Sequence, residues 1–145
     1  MNKFRRYLLT AEFTRLLLKK SQESAKEYSK SELLAIAKKI CREYDVPTLP
    51  IIVGEPGPGR DGLYTARRRG NKATFNIVLR RWDLRVLLHE LAHHIAFVEK
   101  IYVGHGTTWQ EYFAKLLDKY FDLTTPEATT WAKKEASFQP KTKGE

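Results

Sequence analysis

The chain of 145 residues carries one cysteine, Cys41. An internal disulfide is therefore excluded, which suits a reducing compartment. Cys41 sits at the edge of an apolar helical face, where a packed thiol is expected rather than a reactive one. Long apolar runs are also missing. No stretch approaches the roughly 20 residues that cross a bilayer. Glu12 and Arg15 interrupt the N-terminal segment where a secretory signal needs a continuous apolar core. The expectation is a cytoplasmic protein without membrane contact. Glycine is sparse, and its one dense run, Gly54-Glu55-Pro56-Gly57-Pro58-Gly59, matches no phosphate-binding fingerprint and is followed by no Lys-Ser or Lys-Thr pair. It reads as a connector at the border of a site. No internal repeat or clear boundary divides the chain, so one domain is expected over residues 1–138, with a flexible tail at 139–145.

Acidic residues are outnumbered, 17 against 26 Lys and Arg, for a net charge of +9. The excess is concentrated in two places. One holds Arg60, Arg67, Arg68, Arg69, Lys72, Arg80, Arg81 and Arg85 against Asp61 and Asp83; the other holds Lys3, Arg5, Arg6, Arg15, Lys19 and Lys20. Such patches fit DNA or an acidic partner, or simply a solubilising surface. Arg67, Arg68, Arg69, Arg80 and Arg81 are the candidates for nucleic-acid contact.

Periodicity places the elements of an α+β protein. Residues 4–27 read as a helix with two apolar stripes, Phe4, Tyr7, Leu8, Ala11 and Leu18 on one, Leu9, Phe13, Leu16 and Leu17 on the other. A capping box from Ser29 to Glu32 opens a second helix to about Tyr44. Its apolar face is Leu33, Ile36, Ala37, Ile40 and Tyr44. Leu49–Val53 reads as a short edge strand, since Pro50 cannot donate to a ladder. Leu63–Arg68 and Ala73–Leu79 flank Gly70-Asn71 as a hairpin, with Phe75, Ile77 and Leu79 on the core face. The sheet is expected to be small and mostly antiparallel. A helix from an N-cap at Asp83 runs to about Val98. After a turn at Glu99–Gly104, a capping box at Thr108–Glu111 opens the next helix, whose stripe of Trp109, Tyr112, Phe113, Leu116, Leu117, Tyr120 and Phe121 reads as core. Thr125-Pro126-Glu127 begins a last short helix through Trp131.

The four histidines lie between His89 and His105. At 100° per residue, Leu84, Leu87, Leu88, Leu91, Ile95 and Val98 form one broad apolar face. His89 and His93 lie almost opposite, flanked by Val86, Ala96 and Phe97. A surface helix would carry charges on that second face. This one is expected to be buried on both sides, with the histidines facing a cleft. His89 and His93 are one helical turn apart, so two imidazoles can close on one ion, and Glu90 points beside it. The third ligand falls to His105, bracketed by Gly104 and Gly106, or to Glu111, which capping would occupy; His105 is the better placed. Ala96 and Glu99 stand where the long metzincin motif needs Gly and His. His94 is four residues from Glu90 and can reach it, or lie on the polar surface. Three protein ligands leave one position open, the mark of a catalytic zinc site.

His-Glu-Leu-Ala-His-His at 89–94 and His-Gly-x-x-Trp at 105–109 resemble the SprT-like zincins. More narrowly, they resemble the small metallohydrolases of actinobacteria and their phages. The likeness extends to Arg6–Glu12, Arg67–Leu79 and the helix after His105. It implies a minimal zincin-like fold: N-terminal helices, a small sheet with a hairpin, a buried HExxH helix and C-terminal helices. It implies Zn2+ on His89, His93 and His105, Glu90 as general base, and Ala73–Leu79 as the strand beside a bound peptide. Spartan-type relatives cleave proteins crosslinked to DNA. This chain lacks their C-terminal cysteine zinc ribbon and any separate DNA-binding module. It also lacks the Glu-rich continuation of the ImmA-like HExxH proteins. The function expected is a zinc-dependent metallopeptidase acting on protein or peptide, with DNA nearby as a further partner. The alternatives are a non-catalytic DNA- or partner-binding domain with a structural zinc, and a hydrolase of another amide or ester. Tyr112 and Arg81 are candidates for an oxyanion donor.

Overall fold

The computed structural model describes residues 28–138; the helix expected over 4–27, its basic residues and the tail at 139–145 lie outside the described residues. Ser29 opens α1 (Lys30–Glu43) through the expected capping box: its Oγ accepts from Glu32 N–H, and the Glu32 carboxylate accepts from Ser29 N–H. The buried face of α1 is Leu33, Ala37, Ile40 and Cys41. Burial lifts the Cys41 thiol to about 11, so it stays protonated and inert.

Three strands follow: β1 (Ile51–Val53), β2 (Gly62–Arg69) and β3 (Lys72–Leu79). β2 and β3 form the hairpin, with Gly62 opposite Leu79 and Arg69 opposite Lys72. Gly70, at φ +59°, supplies the positive-φ first position of the two-residue loop. β1 lies on the other side of β3 and pairs with it in parallel, Ile51 opposite Ile77. The order β1-β3-β2 gives a small mixed sheet, in which the long antiparallel hairpin carries one short parallel strand. Ala73–Leu79 is the central strand, but β1 pairs with it only over Ile77–Leu79, so residues 73–76 have a ladder partner on one side alone. The free edge nearest the histidines belongs to β2.

α2 (Leu84–Lys100) packs against β2 and β3 on one side, α3 (Thr107–Tyr120) on the other, and α1. Asp83 caps it as expected, its side chain accepting from Val86 N–H at 3.2 Å. Leu87, Leu88, Leu91 and Ile95 are fully buried, each contributing about 1.5–3 kcal/mol relative to exposure. α4 (Thr125–Ser137) packs against α3 and begins with a Thr124–Glu127 capping box and Pro126. It runs past Trp131 to Ser137, and the carboxylate of Glu135 on this last stretch finds partners inside the fold.

α2 ends in an αL turn: Ile101 N–H reaches Phe97 O, and Tyr102 N–H reaches back to Ala96 O. Ile101 takes the left-handed position at φ 51°, where glycine is usual, and is 76% exposed. Ile101→Gly is therefore expected to stabilise the protein by about 1 kcal/mol, seen as a rise in Tm in a thermal melt.

Candidate metal centre

The long buried helix and the turn after it bring His89, His93 and His105 together. His93 Nε2 lies 3.0 Å from His105 Nε2, which lies 3.2 Å from His89 Nε2, and one nitrogen from each ring falls within 4.8 Å of the others. With Zn–N bonds of about 2.0–2.1 Å, two ligands of a tetrahedral site stand about 3.3 Å apart. The spacing of the ring nitrogens fits that polyhedron. Burial holds His93 well below its ordinary value, and His89 and His105 push the same way, so its imidazole is neutral as a ligand must be.

Glu135 fixes His89. Its Oε1 is 2.9 Å from His89 Nδ1 and accepts from Arg85 Nη1 at 2.7 Å, while its Oε2 accepts from Trp131 Nε1 at 2.9 Å. With Nδ1–H donated to the carboxylate, the lone pair of His89 Nε2 faces His105. Burial pushes the Glu135 carboxyl up, but the bond from His89 and the Arg85 charge outweigh it and hold the group at about 2. A carboxylate behind a ligating imidazole orients it and raises its basicity. Glu135→Gln is expected to weaken Zn2+ affinity about 10–100-fold, measured by competition with a chromophoric chelator. None of this was anticipated from the sequence. The signal was present in the spacing Ala128, Trp131, Ala132, Glu135, which places a carboxylate on an apolar helical face.

Glu90 sits beside the histidines rather than among them. Its Oε2 is 3.9 Å from His89 Nε2, and the residue is buried. Burial raises its carboxyl above the usual carboxylate range, with the Tyr64 backbone N–H working against it. β2 crosses the helix closely here. A Cβ on Gly62 would meet Val86 Cγ1 at 2.6 Å and Glu90 Oε2 at 3.1 Å, so glycine is what lets the strand lie against the carboxylate. Trp109 closes the opposite wall: its Nε1 donates to His89 O, and its ring stacks on His93 at 5.4 Å.

His94 neither reaches Glu90 nor lies on the surface. It is fully buried, with Tyr64 Oη 2.8 Å from Nδ1 and Pro47 O 2.7 Å from Nε2, and so ties β2 and the α1–β1 connection to α2. Glu111 is exposed on α3 and makes no capping box. The helix starts two residues early, from Gly106 as N-cap, whose N–H donates to Tyr102 Oη and whose Cβ position that hydroxyl fills. Neither oxyanion candidate faces the cleft: Tyr112 donates to Glu99, and Arg81 is exposed beside Asp83.

The basic candidates do not form one patch. Arg67, Arg68 and Arg69 are exposed at the hairpin tip. Arg80 and Arg81 follow the far end of β3, roughly 24 Å away at about 3.4 Å per residue. Arg80 is committed to the connector, donating to Glu55, Gly57 O and Arg60 O.

The cleft over the histidines has a volume of about 470 Å³ and is bounded by the connector at Pro58–Arg60, the start of β2, and Tyr102–Gly104. The connector does line the site. No protein-family model matches the chain, and no curated protein or solved structure is significantly similar to it. Among the described residues, no helix is long and apolar enough to cross a membrane.

Proposed function

We propose that this protein is a minimal zincin-like metallohydrolase, a zinc-dependent metallopeptidase of the SprT-like kind. The observation that carries the reading is the convergence of His89, His93 and His105 to a ligand spacing, with Glu90 alongside but outside the ligand set. Among the described residues the cluster is these three imidazoles, which leaves a position open, as catalytic sites do and structural sites do not.

A bound Zn2+ would act there as a Lewis acid that polarises a carbonyl and acidifies water toward a pKa of about 7. The chain's own residues do the rest. Glu90, beside the ligand cluster but outside it, is placed to take a proton from water and return it to the leaving nitrogen. Glu135 and Trp109 hold His89 in one orientation, so the donor set costs little to organise. Tyr102 Oη accepts from Gly106 N–H and keeps its own proton to donate into the cleft, which suits it to a developing oxyanion. The outer edge of β2, apart from the Tyr64 N–H that the Glu90 carboxylate takes, can pair with an extended peptide and carry it past Glu90. The hairpin-tip arginines take part in no step.

The test is digestion of an unfolded protein by the purified chain with Zn2+ and with a chelator. Hydrolysis that requires the metal and returns when it is restored supports the reading. A zinc-loaded protein inert toward peptides, amides and esters overturns it.

A further inference from the structure

Three arginines border the histidine cleft or its connector, and they are not equivalent. Arg85 is taken up by Glu135 at 2.7 Å and Asp61 at 3.4 Å. Arg80 is taken up by Glu55 at 3.0 Å and two connector carbonyls. Arg60 has the opposite arrangement. Its backbone is pinned: the carbonyl accepts from Arg80 at 2.8 and 3.0 Å, and the N–H donates to Gly57 O at 3.2 Å. The residue is exposed, lines the cleft, and has no carboxylate partner among the described residues. It lines the same cleft as Glu90 and the three histidines. An anchored backbone presenting an uncommitted, planar cation is the arrangement that binds a carboxylate with two parallel hydrogen bonds.

Resting on the peptidase reading above, we infer that Arg60 selects substrates bearing a carboxylate next to the bond to be cut. That carboxylate is either an acidic side chain or the α-carboxylate of a chain end. The rest of the cleft sharpens the choice. Asp61 is neutralised by Arg85, and Val103 and Phe138, 63% and 74% exposed, offer apolar contact at the rim. A cationic substrate finds Arg60 repelling it and, among the described residues, no unpaired acid at the rim to receive it, so selection works by exclusion as well as attraction.

The test uses the full chain loaded with Zn2+ and two matched peptide pairs. One pair carries Glu or Gln near the centre with an amidated end; the other carries Gln, with a free or amidated C-terminus. Binding is read by fluorescence anisotropy in the Glu90→Gln background, and turnover in the otherwise unaltered chain. A bidentate charge-assisted contact is expected to favour one carboxylate-bearing peptide by about tenfold or more in Kd and KM. The pair that shows the preference identifies which carboxylate is read. Arg60→Ala should bring that ratio to within about twofold, and Arg60→Lys should recover part of it. Equal binding within both pairs, or a preference that survives Arg60→Ala, overturns the inference. A preference in binding that Arg60→Ala removes, without cleavage of any peptide, upholds the recognition and sinks the peptidase reading instead.

Discussion

Glu90→Gln is expected to lower kcat/KM for peptide hydrolysis by about 10²–10⁴-fold, the range a general base supplies, while zinc content per chain stays unchanged. The amide has nearly the volume of the carboxylate, and that matters here. Gly62 and Val86 leave little room over the side chain, so a larger replacement would move β2 and confuse the result. Gln keeps an oxygen that can accept from the Tyr64 N–H but has no basic site for a proton. Because Glu90 Oε2 lies 3.9 Å from His89 Nε2 rather than within the imidazole cluster, the substitution should leave the three ligands where they are. Hydrolysis persisting at the original rate would show that another group takes the proton. Loss of zinc together with activity would show that Glu90 belongs to the ligand set, contrary to its position.

The helical period carried the central part of this site. Apolar residues on both faces of the Leu84–Lys100 segment meant burial on both sides, and the structure has α2 between the sheet and α3. One helical turn between His89 and His93, and glycines around His105, were enough to bring three rings together. What periodicity could not convey was pairing across distance. A parallel β1–β3 ladder is set by which strand inserts between the other two, and the alternation inside Ala73–Leu79 is the same whether that strand is central or at an edge. Glu135 was missed for a related reason. It lies 46 positions from the histidine it orients, so no local pattern joins them. His94 shows the limit of the i,i+4 rule: helical spacing brought it within reach of Glu90, but Tyr64 and Pro47, from elements remote in sequence, offered bonds that left its ring buried and satisfied. The capping box at Thr108–Glu111 failed because Tyr102 Oη had already claimed the Gly106 N–H and fixed where α3 begins.

His105→Ala is expected to weaken Zn2+ binding by more than about 100-fold, beyond what loss of an outer hydrogen-bond partner does, and to reduce hydrolysis to background. The fold should survive. His105 lies in the turn before α3, half-buried, whereas the interior is formed by Leu33, Ile40, Ile77, Leu87, Leu91, Ile95, Trp109 and Phe113, which need no ion to pack. Far-UV circular dichroism of the variant should therefore match that of the unaltered protein. Added zinc should raise the Tm of the unaltered protein but not of the variant. The linkage is worth about 2.7 kcal/mol at a free zinc concentration 100 times Kd. A structural zinc makes the opposite prediction, because binding energy is then folding energy and both the variant and the chelated protein would unfold. Two measurements, ellipticity and metal content, thus separate an enzyme that borrows its ion from a domain that depends on it. A chain that keeps its helices while losing its zinc is what a histidine trio on the wall of a preformed cleft requires.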